Sequence, residues 1–241
     1  MERDWDNDNK PGDLDVFTRT ISLSDDIQTL KTNIEMGAGV LTVNGTDDYV
    51  LDSRFQVDKK DNLFIDYNEE GDRGVIQIRH EKDVDIHFGD NDMHDEWDIK
   101  LNRRIPQDVD IMLGAGESTL DLSDFNLRNV DITMGAGENN IDLRNSSPER
   151  LKIEAGVGDI QLDLTGKWKN DCRIDVSGGI GHLTLILPED ADIELKVNGG
   201  LGNVEAPSLE RRGRKYYQNG NGPELDIKVN AGIGSLEIIT R

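Results

Sequence analysis

Hydrophobic and polar residues alternate along most of this chain, and closely spaced glycine pairs interrupt the alternation. In the stretch IMLGAGESTLDL (111–122), apolar residues occupy every second position before the glycines and again after them. The stretch ITMGAGENNIDL (132–143) repeats this pattern 21 residues later. Alternation with a period of two is typical of a strand with one buried face. Each unit is therefore predicted to contain a strand, a Gly-x-Gly corner, a second strand and a return turn.

The glycine pairs recur at nearly constant spacing, with intervals of 21, 21, 23, 21 and 32 residues from Gly114 onward. A unit of this length cannot bury its own apolar face, whereas stacked units bury a continuous core. The sequence therefore predicts an all-β fold, a single-stranded parallel β-solenoid (β-helix-like) with about 21 residues per coil. The pairs are Gly37/Gly39, Gly114/Gly116, Gly135/Gly137, Gly156/Gly158, Gly179/Gly181, Gly200/Gly202 and Gly232/Gly234.

The glycines are interpreted as structural corners, because glycine permits positive φ and a close approach of stacked backbones. A phosphate-binding loop would need a helix directly after the glycines, and here a strand pattern follows. A calcium-binding Gly-Gly-x-Gly-x-Asp repeat would need aspartate where GGIGHL (178–183) has Leu183. Its period would be about nine residues rather than 21. Both ligand-binding alternatives therefore fail on the pattern.

The regularity of the repeat divides the chain into three parts. Residues 1–13 are polar and are predicted to be disordered. Residues 14–104 repeat less clearly and are predicted to form irregular N-terminal coils of the same stack or a small β subdomain that caps it. Residues 105–241 form the regular part. The 32-residue interval predicts an insertion of about 11 residues near 207–223, relative to the repeat.

Composition narrows the classes of partner. The chain has 49 acidic and 27 basic residues and a net charge of −22, which disfavours nucleic acid and anionic lipid as partners. The acidic charge could serve to bind divalent cations or basic partners, or simply to keep the protein soluble. A single cysteine excludes an intramolecular disulfide, and no apolar run is long enough to predict a transmembrane segment. The polar start fits either a cytoplasmic protein or an exported one whose leader has been removed.

Three acidic residues follow the glycines in one register. In a stack, Glu117, Glu138 and Asp159 would form a ladder, and like charges placed opposite one another destabilise a sheet. One interpretation is a calcium ion held between the rungs by carboxylate oxygens. The alternative is three solvated and screened carboxylates at an outer corner.

The insertion near 207–223 combines basic and aromatic residues in an otherwise acidic chain. Tyrosine supplies contact area at low entropic cost, and loops on rigid scaffolds often carry binding sites. A recognition loop for an acidic glycan, a wall polymer or a protein is one interpretation. The other is a hairpin whose basic residues offset the acidic body. The residues are Arg211, Arg212, Arg214, Lys215, Tyr216 and Tyr217.

Other chemistry-bearing residues give weaker signals. His80, His87 and His94 are spaced by seven within an acidic stretch, which suggests a transition-metal or calcium site. Their spacing also fits a solvated loop. Cys172 occupies a column of apolar residues, so it is predicted to be a small buried hydrophobe rather than a nucleophile. The sequence contains no convincing catalytic constellation, and the protein is predicted not to be an enzyme.

Four phrases resemble the toast-rack family: DEWDIKLN (95–102), the LGAGE units, VNGGLGNV (197–204) and VNAGIGSLEI (229–238). This family includes C-terminal domains of cell-wall-active antibiotic response proteins and proteins described as candidate adhesins. The resemblance extends from about Phe17 onward and implies a bacterial envelope protein with a β-solenoid and no known activity. Some relatives carry N-terminal membrane helices and act in envelope-stress signalling, and no such helix is predicted here.

The combined expectation is a non-enzymatic envelope or surface scaffold that binds a protein, a glycan or a wall polymer. One alternative is a regulator of envelope-stress signalling that acts through a membrane partner. A more distant alternative is a carbohydrate-active β-helix enzyme, which would need converging acids and bases in a groove.

Overall fold

The computed structural model describes residues 14–59, 63–80, 95–200 and 202–241, which form strands joined by turns and contain no helix. Nothing in these ranges could therefore cross a membrane as a helix. The predicted disordered segment 1–13, together with His87 and His94, lies outside the described residues. The strands are β1 (Leu14–Ser22), β2 (Thr29–Thr46), β3 (Tyr49–Asp58), β4 (Leu63–Glu70), β5 (Arg73–His80), β6 (Glu96–Asn102), β7 (Gln107–Asp121), β8 (Leu127–Asp142), β9 (Arg150–Asp163), β10 (Cys172–Leu187), β11 (Asp192–Gly199), β12 (Asn203–Glu205), β13 (Glu210–Arg212), β14 (Lys215–Gln218) and β15 (Glu224–Thr240).

The strands form one mostly parallel sheet that does not close on itself. Its central strands follow the order β2, β7, β8, β9, β10 and β15. Like residues are paired across these strands: Ile111 lies opposite Ile132, and Ile132 lies opposite Ile153. The prediction of an all-β fold is confirmed.

Each long central strand contains a glycine pair, and the buried positions shift by one residue there. In β7, Val109, Ile111 and Leu113 are buried before the corner, whereas Ser118 and Leu120 are buried after it. An uninterrupted strand would keep burying every second residue in the same phase. The shift turns both arms of the strand toward one continuous apolar core.

The return turns explain the repeated Leu-Asp-Leu and Ile-Asp-Leu phrases. Asp121, Asp142 and Asp163 each accept a hydrogen bond from the backbone N–H two residues later, at 2.9 to 3.1 Å. This is the Asx turn, in which a side chain replaces a backbone acceptor. Asp124 and Asn145 then take positive φ angles of 59° and 58°, which Asp and Asn tolerate better than most residues.

At both ends, the strand order in space differs from the order predicted by stacking consecutive repeats. β10 pairs with β15, and β11 lies beyond β15. Likewise, β2 pairs with β7 along one edge, and along its other edge it pairs first with β5 and then with β6. β15 is an uninterrupted strand of 17 residues, whereas β11 and β12 have eight and three. A long strand placed inside the sheet satisfies backbone groups along both of its edges.

The predicted insertion near 207–223 contains β13 and β14, which pair as an antiparallel hairpin. β14 also pairs with β11 and covers its outer edge. At the other end, the sheet runs from β6 through β2 into β7, and the core is continuous there as well. The predicted boundary at residue 104 falls in the turn between β6 and β7, and the sheet and the core continue on both sides of it. A separate N-terminal subdomain stays a prediction.

Candidate functional site

The structure aligns the three predicted acidic residues. Glu117 lies opposite Glu138, and Glu138 lies opposite Asp159, with all three exposed at the glycine corner. Asp159 accepts a hydrogen bond of 3.0 Å from the backbone N–H of His182. Across the described part of the chain, no three His, Cys, Asp or Glu side chains are grouped closely enough to hold a metal ion. Calcium binding by this ladder stays a prediction.

The basic and tyrosine residues of the insertion lie on the β13–β14 hairpin, where the two tyrosines differ. Tyr216 is buried in the core with 5% of its surface exposed, and the Arg211 guanidinium lies 5.7 Å from its ring centroid. Tyr217 is half-buried, and the Arg212 guanidinium lies 5.1 Å from its ring. Stacking of this kind holds a guanidinium against an aromatic face. Tyr216 therefore anchors the hairpin instead of offering a contact surface.

Two of the hairpin's basic groups have acidic partners within the protein. Arg212 donates two hydrogen bonds of 2.9 Å to Glu210, which lower the pKa of that carboxyl group. Lys215 donates to Glu194, and this hydrogen bond raises the pKa of the lysine. Arg211 and Arg214 are exposed and have no acidic partner among the described residues. Binding by this hairpin stays a prediction that depends mainly on these two arginines.

A groove that sequence reasoning missed crosses four successive return turns. Its volume is about 590 Å³, within the range of roughly 300 to 1,000 Å³ typical of ligand sites. The lining carries four basic and two acidic side chains, so it is net positive although the chain has a net charge of −22. Amide and hydroxyl groups lie between the charges. The lining residues are Asp47, Arg103, Arg104, Asp124, Phe125, Asn126, Leu127, Asn145, Ser147, Lys167, Lys169 and Asn170.

One end of the groove is built on an aspartate that holds two arginines. Asp47 accepts hydrogen bonds of 2.7 and 3.0 Å from Arg103 and one of 2.8 Å from Arg104. These donors hold the pKa of Asp47 well below its usual range. Arg104 is nevertheless 71% exposed. Asp124 also lines this end and lies near Arg103, so two carboxylates face the two guanidinium groups, and the excess positive charge of the groove comes from its two lysines.

The other end of the groove carries two lysines on a rigid turn. The backbone N–H of Lys167 donates to Asn145 at 3.0 Å, and that of Lys169 donates to Ser147 at 2.8 Å. Between them, the buried Trp168 ring donates to a backbone carbonyl at 2.6 Å. Both lysine side chains are exposed, and neither forms an ion pair with a described residue. The turn therefore presents two free ammonium groups from a fixed backbone.

These groove residues were missed because they belong to turns of different repeats, far apart in sequence. The available signal was their offset from the glycines. Arg103 precedes Gly114 by 11 residues, and Trp168, between the lysines, precedes Gly179 by 11. Aligning the repeats on their glycines would have placed these basic residues at one edge of the stack.

The structure contains no buried nucleophile with a nearby base among the described residues. Cys172 is buried, as its apolar column predicts, and burial raises the pKa of its thiol to about 12. His80 lies in a different part of the fold, where it is 2.8 Å from Asp95 and packs 5.1 Å from the Trp97 ring. A metal site that includes His80 would need residues outside the described ranges.

One surface trio has the residue types of a hydrolytic triad. The Ser235 hydroxyl is within hydrogen-bond distance of His182 Nδ1, and His182 Nε2 lies 3.8 Å from a Glu237 oxygen. The second distance is too long for the hydrogen bond that fixes a catalytic imidazole. His182 and Glu237 are also 43% and 45% exposed, so water competes for both. The trio lacks the orientation that nucleophilic catalysis needs.

Among known structures, the chain is similar to a candidate cell adhesion protein from Clostridium sporogenes. The two share 21% identity and a TM-score of 0.69, over 95% of this chain and 100% of that one. A candidate adhesin from Bacteroides fragilis shares 7% identity with a TM-score of 0.30, over 95% and 98%. One from Parabacteroides distasonis shares 13% with a TM-score of 0.30, over 93% and 97%. Only the first of these three is similar enough in fold to support the comparison.

No curated protein matches the chain. The family profile of the N-terminal domain of toast_rack, DUF2154, matches residues 10–152 and 130–186. These ranges cover most of the chain and include the first glycine units and the turns that form the groove. The family resemblance expected from the sequence is thereby confirmed, and the chain belongs to the toast-rack family.

Proposed function

We propose that this protein is a non-enzymatic, adhesin-like scaffold of the bacterial envelope or cell surface that binds an anionic glycan or wall polymer. The groove across the return turns carries this proposal, because it concentrates positive charge on rigid turns of a strongly acidic chain. Membership of the toast-rack family and likeness to a candidate cell adhesion protein support the surface role. The hairpin arginines, Arg211 and Arg214, are a second contact point in this proposal.

The scaffold is proposed to be a parallel β-solenoid with about 21 residues per coil. Pairs such as Val130 with Leu151 support this period, because residues that lie opposite each other on neighbouring strands are 21 positions apart in the sequence. In a stack with this spacing, a ligand that lies across four turns would span about 14 Å, at ~4.8 Å per step. Such a ligand is a short linear chain rather than a compact molecule.

The charge balance selects a sparsely charged ligand. The acidic body repels a dense polyanion, although this repulsion is screened beyond about 8 to 10 Å at physiological ionic strength. A glycan with widely spaced carboxylates or phosphates would meet Arg104 at one end and Lys167 and Lys169 at the other. Between the charges, Asn126 and Asn170 could exchange hydrogen bonds with sugar hydroxyl groups.

The binding test compares anionic and neutral oligosaccharides of matched length by calorimetry. Oligogalacturonate supplies carboxylates, a glycerol-phosphate oligomer supplies phosphates, and a neutral galactose oligomer is the reference. We expect at least one anionic ligand to bind, with an affinity that falls as salt rises, and the neutral oligomer to bind at least about tenfold more weakly. Equal binding of the charged and neutral oligomers would exclude the proposal.

Matched variants locate the site. Lys167→Glu/Lys169→Glu is expected to weaken binding by at least tenfold, because each change replaces an attraction with a repulsion. Lys228→Glu, an exposed change on β15, is expected to weaken it less than about threefold. Arg211→Glu/Arg214→Glu tests the predicted hairpin site in the same assay. If all three variants bind alike, neither surface is the binding site.

The non-enzymatic part of the proposal has its own test at Ser235. A fluorophosphonate probe labels an activated serine, and we expect no labelling of this residue, because His182 lacks a close acidic partner. Labelling that disappears in Ser235→Ala would instead identify a hydrolase. This outcome is independent of the glycan-binding result, so the two parts of the proposal can fail separately.

A further inference from the structure

The edge strands at the two ends of the sheet differ in length and in charge. At one end, the outermost strand is β13, which has three residues, all charged. Short, charged edges resist pairing with another chain. At the other end, β1 has nine residues and pairs only with β3 among the described residues. Its outer edge is thus a template on which another strand can be added.

The side chains of β1 leave apolar surface exposed at this edge. Phe17 packs against Phe55, with ring centroids 5.4 Å apart, yet it is still 36% exposed. On the opposite face of the strand, Val16 is 54% exposed. A strand added along β1 would cover part of both side chains. Phe17 would then contact Phe55 in the core of its own chain and the added strand on its exposed side.

The sequence of β1 is complementary to itself in one antiparallel register. When a two-fold axis passes through Phe17, Asp15 lies opposite Arg19 of the partner subunit, and Phe17 lies opposite Phe17 of the partner subunit. Opposite charges and aromatic pairs placed directly across two strands stabilise their pairing. Moving the axis to position 16 or 18 would instead place Asp15 opposite Phe17 or Ile21 of the partner subunit. Only the axis through Phe17 forms both charge pairs.

The charges required for this register are available. Neither Asp15 nor Arg19 forms an ion pair with another described residue, and both are exposed. The other long edge, β4, carries three acidic residues and no basic one, in the sequence LFIDYNEE (63–70). Pairing β4 with its own copy would therefore oppose acidic groups without any compensating basic group. This difference singles out β1.

We propose that two copies of this protein associate through antiparallel pairing of their β1 strands about an axis at Phe17. The resulting sheet is continuous through both copies. Because the interface is the same patch on each copy, the dimer is closed and does not extend into a fibre. Each dimer carries two return-turn grooves, so a polymer long enough to reach both would bind with avidity. The association itself does not depend on whether the grooves bind glycans.

Charge exchange tests the register in the full chain by sedimentation at a series of concentrations. Asp15→Arg alone or Arg19→Asp alone places like charges opposite each other, and each is expected to weaken dimerisation by at least about tenfold. The double variant Asp15→Arg/Arg19→Asp restores both pairs and is expected to return to within about threefold of the original dimerisation constant. Lys228→Glu is the control for a change in net charge and is expected to leave dimerisation unchanged.

Cysteine pairs provide a second test that leaves Asp15, Phe17 and Arg19 intact. In the proposed register, position 16 lies opposite position 18 at about 4.5 to 5.5 Å between Cα atoms, which suits a disulfide. Val16→Cys/Thr18→Cys is therefore expected to form a covalent dimer under mild oxidation, whereas Thr20→Cys/Ser22→Cys is not. The native Cys172 is buried and does not compete.

Three results would overturn the proposal. The first is a full chain that stays monomeric at millimolar concentration. The second is a charge-exchanged double variant that dimerises no better than either single variant. The third is equal cross-linking of the two cysteine pairs, which would indicate random collision in place of a fixed register.

Discussion

Replacing Gly137 with alanine tests whether the corner glycines keep neighbouring strands at close approach. Gly137 has a φ of 142°, in a region that residues with side chains rarely adopt. A Cβ atom there would overlap the carbonyl oxygen of Gly116 in β7 and lie 2.7 Å from its carbonyl carbon. The obstacle is backbone, so no side-chain rotation can relieve it. The two strands must therefore separate at the corner to admit the Cβ atom, and the alanine must also adopt an unfavourable backbone conformation.

The expected loss of stability follows from these two responses. Unfavourable φ and ψ angles cost about 1 to 3 kcal/mol. Separation of the strands at the corner removes one or two backbone hydrogen bonds, each worth about 0.5 to 1.5 kcal/mol. The free energy of unfolding should therefore fall by about 4 kcal/mol. For a chain of this size, each kcal/mol lowers the Tm by about 2 to 4 °C, so a decrease of roughly 10 °C is expected.

Thermal unfolding followed by circular dichroism measures this loss, and the chain offers two controls. A Cβ atom on Gly178 would meet nothing within 4 Å, so Gly178→Ala should change the Tm by less than about 2 °C. Ala136→Val changes the position between the glycines, where β9 already has an exposed Val157, and should be similarly mild. If Gly137→Ala melts together with these controls, close backbone approach is not the reason for the glycine repeat.

Three further predictions concern the core, the acidic ladder and the cysteine. Ile132 is fully buried between Ile111 and Ile153, so Ile132→Asp should lower the free energy of unfolding by more than about 4 kcal/mol. Ile132→Val should lower it by only about 1 kcal/mol, and chemical denaturation distinguishes the two. Glu138→Gln should leave the Tm in EDTA unchanged or slightly higher, because it removes a like charge from the ladder. A rise in wild-type Tm in millimolar calcium that this variant loses would instead assign cation binding to the ladder. The Cys172 thiol should resist maleimide at pH 8 until the protein unfolds, because burial raises its pKa from 9.0 to about 12. The unfolded chain ionises this thiol first, so its contribution is complete below about pH 9 and is lost as the pH rises toward 12. Cys172→Val should therefore lose less stability than wild type between pH 8 and 10.5.

The centre of the fold could be predicted because the patterns that specify it, alternating apolar residues and glycine pairs, lie within each repeat. The residues at 111, 132 and 153 share one column, and the period of two assigns each to the core before any contact is known. The glycine corners are equally local, since a bend with close backbone approach admits almost no other residue. The Leu-Asp-Leu phrases were visible too, although the role of Asp121 and its equivalents in closing the turns was not recognised.

The strand order at the two ends could not be read from the repeat. β11 has the glycine pattern and the spacing of a normal unit, yet β15 takes the place beside β10. The difference is one of length, because β15 offers an unbroken ladder and the β11–β12 unit is interrupted. The groove was missed for a related reason: Arg103 and Lys167 line the same groove only after four turns have been stacked. Both features depend on which strands are neighbours, and a periodic pattern does not contain that information.

The centre and the ends of the sheet differ in strand order, and we infer that they differ in role. From β7 to β10, the strands are paired in sequence order, and their return turns form the groove on a backbone held by Asx turns and turn-to-turn hydrogen bonds. At the far end, the insertion of β15 moves β11 outward, where the β13–β14 hairpin covers it with a short, charged edge. No comparable hairpin lies outside β1 among the described residues. Of the two long edges that stay open in the part of the chain that the structure describes, β1 and β4, only β1 carries charges complementary to its own copy. A sheet with one short, charged end and one self-complementary edge has the asymmetry expected of a molecule that associates through a single edge.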